Sequence, residues 1–167
     1  MKLIIHDLPR QDYPRLAGGK DEELRLITDN GTIRKCTGCF GCWLRTPGVC
    51  VLKDDYQHMG EWAAASDEMV IISKCTYGSY SPFVKNVLDR NISYILPYFT
   101  TINGETHHQR RYEKSFKLTV HFYGDDLTPA EQDTARELVK ANSMNFYSTG
   151  NEVYFYGNAD DAWEGLQ

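Results

Sequence analysis

Apolar positions fall along this chain in short blocks, separated by polar breaks marked with Gly and Pro, and the blocks alternate between two periods. Lys2-Leu3-Ile4-Ile5-His6, ended by Asp7 and Pro9, reads as a buried strand. Leu24-Arg25-Leu26-Ile27-Thr28, closed by Asp29-Asn30-Gly31, reads as a second. Met69-Val70-Ile71-Ile72-Ser73 is almost wholly apolar, as expected of a strand covered on both faces. Phe116–Tyr123, ending at Gly124, and Glu152–Tyr156 complete a set of five. Helical spacing lies between them. Asp54 or Asp55 can cap a helix with Tyr56, Met59, Trp62 and Ala63 on one face. Ser81 followed by Pro82 opens another, with Phe83, Val84, Val87, Leu88, Ile92 and Ile95 on its buried side and Pro97 at its end. Thr128-Pro129-Ala130-Glu131 is a capping box that starts a helix to about Met144. Phe99–Lys114, within an insertion spanning about 97–115, reads as polar and irregular. Strands alternating with helices imply one α/β domain over residues 1–167, with helices on both faces of a parallel sheet. Five strands suit the doubly wound order 2-1-3-4-5.

Composition adds constraints to this pattern. The 167 residues are 41% hydrophobic and 25% charged, ordinary for a globular domain, and 13% aromatic, ample for one core. A net charge of −5 argues against general binding to nucleic-acid phosphates. No apolar run reaches membrane-spanning length and residues 1–8 lack a signal-peptide pattern, so the expected setting is cytoplasmic, away from membranes. No Ser–His–Asp set, Walker loop or H-E-x-x-H is present, which leaves hydrolytic chemistry without support. His6 and His58 read as structural, and His107-His108-Gln109-Arg110-Arg111 as a solvated excursion or oligomer contact. His121 lies on the face of its strand opposite Phe116, Leu118, Val120 and Phe122, near the end that lines a crevice.

Cysteine changes the picture most. Cys36, Cys39, Cys42 and Cys50 form C-x2-C-x2-C-x7-C, with Gly38 and Gly41 allowing the backbone to turn tightly enough for several thiols to point inward. Cysteines this close bridge one another poorly but converge well on a metal. Three at x2 spacing with a fourth beyond suit a [4Fe–4S] cluster. Zinc is the competitor, though four-cysteine zinc sites usually split into two separated pairs, which favours iron–sulfur. The alternative is four reduced thiols in an empty loop. Cys75, after the central strand, reads as a buried, inert thiol.

The stretch CTGCFGCWLRTPGVCVLKDD, Cys36–Asp55, resembles the iron-sulfur flavoproteins and related NADPH-dependent FMN reductases of the flavodoxin-like superfamily. There a similar cysteine loop leads into C-V-x-K-D-D, matched here by Cys50-Val51-Leu52-Lys53-Asp54-Asp55. A second block, an apolar strand, a Tyr/Gly/Ser loop and a helix ending in Asp-Arg, is matched by Gly78-Ser79, Lys85 and Asp89-Arg90 within Ile71–Arg90. The resemblance implies a flavodoxin-like sandwich with FMN at the carboxyl ends of the strands. It would be contacted by Thr76, Tyr77, Gly78, Ser79 and Tyr80 and by the loop near Tyr123 and Gly124. It also implies electron exchange with any cluster, a small-molecule or protein electron donor or acceptor, and a homodimer or higher oligomer. Tyr77, Tyr80 and Trp43 are candidates to stack on the flavin. Lys74 is a candidate to stabilise its reduced anion, or else a solvated lysine at a strand end.

One departure from the family bears on function. The family's first strand runs into a Ser/Thr/Asn-rich phosphate loop and a full helix, where N–H groups and hydroxyls cradle the anion. Here Asp7-Leu8-Pro9-Arg10-Gln11-Asp12-Tyr13-Pro14 has no Gly, Ser, Thr or Asn, and Arg10 is its single phosphate-compatible residue. The first helix is therefore expected to be shortened or missing. Two functions follow. One is an FMN-dependent oxidoreductase or electron-transfer flavoprotein. The other is a flavodoxin-like protein that has lost FMN and acts as a metal-binding or protein-interaction module.

Overall fold

The computed structural model describes residues 1–9 and 23–166. Its centre is a sheet of five parallel strands: β1 (Lys2–His6), β2 (Leu24–Thr28), β3 (Glu68–Lys74), β6 (Lys117–Tyr123) and β7 (Gly150–Tyr156), in the order β2-β1-β3-β6-β7. Counting parallel strands alone, this is the expected 2-1-3-4-5, and the fold is flavodoxin-like. The pleat divides the core. Leu3, Met69 and Leu118 share one register row, and Ile5, Ile71 and Val120 another, on the face covered by α2 (Met59–Ala65), α3 (Pro82–Arg90) and α4 (Pro129–Asn145). Ile4, Val70 and Ile72 face the other way, against Ala162 and Trp163 of α5 (Ala159–Glu164). The short α1 (Gly41–Leu44) lies within the cysteine loop. No helix among the described residues is long and apolar enough to cross a membrane.

Several boundaries move for local reasons. Ser81 and Thr128 cap α3 and α4 as expected, the second through a complete capping box. Asp54 does not cap a helix. Its carboxylate accepts the Tyr56 N–H at 3.0 Å in a turn, and α2 begins only at Met59. Helix α3 stops at Arg90, one tight turn (Asn91–Tyr94) follows, and Ile95 belongs to a strand instead of to the helix.

The segment expected to be irregular is an antiparallel hairpin, β4 (Ile95–Ile102) with β5 (Glu105–Arg110). Pro97 sits in the register shift between Ile95 and Phe99, where a missing N–H does no harm. Asn103-Gly104, both at positive φ (52° and 85°), make its turn. The expected trimming of the first helix concerns residues 10–22, outside the described residues.

Candidate functional site

The carboxyl ends of β1, β3 and β6 carry the positions where the resemblance puts a flavin. They converge on an internal anion. The Asp7 carboxylate, just past β1, accepts the Lys74 N–H at 3.0 Å and the Tyr123 hydroxyl at 3.0 Å. Burial raises the Asp7 carboxyl above its ordinary range, partly offset by hydrogen bonds from Ser81, the Lys74 amide and Tyr123. Two donors at the strand ends are thus engaged by the chain's own carboxylate. Arg10, the remaining phosphate candidate, lies outside the described residues.

The other cofactor candidates are dispersed. Thr76 and Ser79 exchange backbone hydrogen bonds at 2.8 and 3.0 Å, closing a turn whose central residues, Tyr77 and Gly78, have φ of 53° and 76°. A Cβ on Gly78 would stand 2.7 Å from Thr134 Cβ and 2.9 Å from the Glu131 carbonyl, so the turn is pressed onto α4. Tyr77 projects at its tip, 89% exposed. Tyr80 turns inward instead, its ring 5.3 Å from Phe122 and its hydroxyl accepting from Asn142 Nδ2 at 3.2 Å. Gly124 is buried, its N–H donating to the Tyr156 carbonyl. Trp43 donates Nε1–H to the Ile95 carbonyl and stacks on Phe40, with ring centroids 5.3 Å apart. Packing therefore accounts for Tyr80 and Trp43, and Tyr77 is the aromatic left open to a ligand.

The cysteine loop is built differently. Cys36, Cys39, Cys42 and Cys50 all line one cavity of about 40 Å³, with Asp89, Arg90 and Ile92 beneath. Phe40 (φ 56°) and Gly38 (φ 64°) bend the loop around it. Gly41 must be small, since a Cβ there would stand 2.6 Å from Val51 Cγ1. The Cys36 N–H is tied to Asn86 Oδ1 at 3.3 Å. Cys36 and Cys39 are exposed, Cys42 is buried and Cys50 is intermediate. Burial pushes the Cys42 thiol up, and the neighbouring Cys50, Cys36 and Cys39 push it further. Among the described residues no group of three or more His, Cys, Asp or Glu side chains is arranged to hold a metal ion, so the sulfurs share a cavity without being closed on one point.

Under the loop sits a residue whose role the sequence did not reveal. Arg90, 1% exposed, donates Nε–H to Cys50 Sγ at 3.1 Å. Its two terminal nitrogens reach the Arg34 and Leu52 carbonyls at 2.9 and 3.2 Å and grip Asp54 in a fork at 2.7 and 2.8 Å. Burial pushes the Asp54 carboxyl up, but the bonds from Arg90 and from the Arg34 and Tyr56 amides outweigh it and hold it below its usual range.

Two further expectations can be placed. Cys75 is buried, and burial raises its thiol. His121 is buried against Tyr154 and Tyr156, so it is a packed side chain and not a crevice wall.

Comparison with known proteins reaches the fold and stops there. No protein-family model matches the chain, and no curated protein matches it. Among solved structures it is similar to the Trp repressor binding protein from Bacillus subtilis, at 12% identity and a TM-score of 0.50, over 100% of this chain and 94% of that one. A thermophilic tryptophan halogenase from Streptomycin violaceusniger overlaps 99% of this chain and 93% of its own, at 12% identity and a TM-score of 0.47, too low to carry an argument.

Proposed function

We propose that this chain is a metal–thiolate protein on a flavodoxin-like scaffold, with an electron-transfer centre held by Cys36, Cys39, Cys42 and Cys50. The observation that carries the reading is the shared cavity: four thiols from two segments of the loop line it, over a buried guanidinium that donates to one of them. A [4Fe–4S] cluster is the first candidate, because three thiols lie in one short run and cysteine sulfur is its natural ligand. Such a cluster would supply one-electron storage. The chain's own part is clear in physical terms. Arg90 places a buried guanidinium against the Cys50 sulfur and donates a hydrogen bond to it. Asp54 fixes the guanidinium, and the exposed run from Cys36 to Phe40 is the part free to adjust to what is bound.

Zinc is the second reading, supported by the cavity itself. Its four thiols are also the donor set of a tetrahedral zinc site. An FMN-dependent oxidoreductase is a weaker reading, supported by the fold and by exposed Tyr77 and opposed by the Asp7 carboxylate. Anaerobic purification with iron, sulfide, zinc and FMN quantified separates all three. Iron with sulfide and a visible absorption band supports the proposal. Stoichiometric zinc selects the second reading. Stable uptake of FMN would reinstate the third. A Cys39→Ala variant that keeps all its metal would exclude the four-thiolate site.

A further inference from the structure

Hairpin β4–β5 is a sheet of two strands, and two strands alone are marginal in water unless something covers them. Its two outer edges differ. Along β5 the His108 carbonyl accepts the Tyr147 hydroxyl at 2.7 Å, and the Arg110 guanidinium lies 5.4 Å from the Tyr147 ring centre, so the chain just past α4 covers that side. Along β4, Trp43 Nε1–H takes up the Ile95 carbonyl and covers the start of the strand. Beyond the register shift the edge is open. Ile102 pairs with Glu105 across the two-residue turn, and Thr100 with His107, so these turn their backbone groups toward β5 while Phe99 and Thr101 turn theirs outward. The Phe99 carbonyl accepts Gln109 Nε2 at 3.0 Å and keeps a second lone pair. No other strand among the described residues pairs with this edge. Open edges are ordinarily guarded by charge, proline or a bulge, and from Tyr98 to Ile102 β4 carries neither charge nor proline.

We propose that a second copy of this chain pairs along this edge, the two β4 strands running antiparallel about a two-fold axis at Thr100 and joining the hairpins into one four-stranded sheet. The backbone sets that register. Phe99 meets the partner's Thr101, and Thr101 the partner's Phe99, which uses every outward group. A shift one way meets Pro97, which has no N–H, and a shift the other way meets the Asn103-Gly104 turn. Side chains agree with it. Thr100 faces the partner's Thr100 at the closer, non-hydrogen-bonded spacing, and Tyr98 and Phe99 stand opposite the partner's Ile102 and the partner's Thr101, both aromatic on β-branched. An uncharged strand also meets its own copy without repulsion. A homodimer interface takes about 800 Å² from each partner, about 65% of it apolar. The rings of Tyr98, Phe99 and Phe40, 65%, 65% and 52% exposed, supply about 300–450 Å² at about 150–250 Å² per ring, most of that apolar share. Antiparallel pairing brings Phe40 in, because it carries the partner's hairpin tip toward the Ile95 end, where Trp43 stacks on Phe40 in the wall of the cysteine cavity. The contact does not depend on what the thiols hold.

Sedimentation and light scattering of the full chain over a range of concentrations test this. The parent should be a dimer that dissociates on dilution. Thr101→Pro deletes an outward N–H and keeps the bonds to β5, so it should raise the dimer Kd by about tenfold or more, the loss of two hydrogen bonds by symmetry. Thr100→Lys sets like charges opposite each other at the axis and should weaken the dimer as well. Thr106→Lys, on β5, should leave it intact, and circular dichroism matching the parent shows that each variant folds. If Thr101→Pro does not fold, Thr100→Lys decides the matter. Thr100→Cys should link two copies through the introduced thiols on mild oxidation with diamide, since residues opposed at that spacing lie about 4.5 Å apart at Cα, within disulfide reach. A parent that stays monomeric at every concentration, a dimer that withstands both edge substitutions, or introduced thiols that join only native cysteines overturns the proposal.

Discussion

Asp54→Asn is the most informative single substitution for the cysteine loop, because it removes one charge and almost no volume. All five N–H donors of Arg90 are engaged, two of them by Asp54. The side chains of Arg90 and Asp54 are 0% and 5% exposed. A buried pair adds little over a well-packed apolar one, but deleting one partner strands the other charge, at about 3–5 kcal/mol. The amide would also turn an N–H group toward the guanidinium fork, replacing an acceptor with a donor. A loss of about 3–5 kcal/mol is therefore expected, a large fraction of a typical domain's stability. At about 2–4 °C per kcal/mol for a chain of this length, the melting midpoint should fall by roughly 6–20 °C.

Urea and thermal unfolding followed by circular dichroism measure the effect, with Asp55→Asn as control. Asp55 is exposed and accepts from Asn30 Nδ2 at 2.6 Å, so its loss should cost under about 1 kcal/mol. Equal midpoints for the two variants, at equal denaturant slope, would refute the reasoning. The pH dependence has a definite sign. The Asp54 carboxyl is held below its unfolded value, so its contribution is present above the ordinary carboxylate range and is lost as pH falls below it.

Other consequences are more local. Burial lowers His6 and His121 to about 4, so both fold neutral and protonate more readily when unfolded. Their contribution is complete above about pH 6.5 and is lost toward pH 4, at most on the order of 3 kcal/mol each, and His121→Phe should flatten the urea midpoint over that interval while a parallel profile would sink the assignment. Gly78→Ala should destabilise by about 1–3 kcal/mol in urea titration, because its φ of 76° and the Glu131 carbonyl 2.9 Å from the new Cβ both oppose a side chain. A variant as stable as the parent would show that the 76–79 turn can lift off α4.

What the sequence disclosed follows from how far each signal reaches along the chain. Ser81-Pro82 and Thr128-Pro129 with Glu131 are contacts within one turn, and both marked true helix starts. The apolar runs of β1 and β3 marked strands because burial on both faces leaves little choice of residue type, whereas edge strand β2 was marked by Leu24, Leu26 and Ile27 closed by Asp29-Asn30-Gly31. Hairpin β4–β5 was missed because β5 is polar, Pro97 interrupts the apolar start of β4, and the two half-exposed strands gain their order from each other. Asn103-Gly104, a favoured two-residue turn, was the available signal. α5 was also missed, being a short Ala-Asp-Asp segment whose only local mark is Asn158 capping the Asp161 N–H. Cysteine spacing made the candidate site legible. Arg90 was not, since an arginine closing an amphipathic helix ordinarily reaches water, and here its burial depends on Asp54 in a separate loop.

The two aspartates, 7 and 54, together explain how the candidate site comes to lie to one side of the sheet. In a doubly wound fold the crevice between β1 and β3, where strand order reverses, is the place that most readily takes an anionic ligand. Asp7 stands there and takes up the Lys74 amide and the Tyr123 hydroxyl, so that end of the sheet is completed by the chain itself. Arg90, at the far end of α3, brings a buried positive charge under the cysteine loop, and Asp54 keeps it there. A carboxylate at the strand ends and a guanidinium under sulfur set opposite charges at the two places: negative charge repels a phosphate, and positive charge attracts anionic ligands. On the proposed reading the chemistry lies at the loop above α3 instead of the β1–β3 crevice, and an Asp7→Asn variant that takes up FMN where the parent does not would assign the difference to that carboxylate.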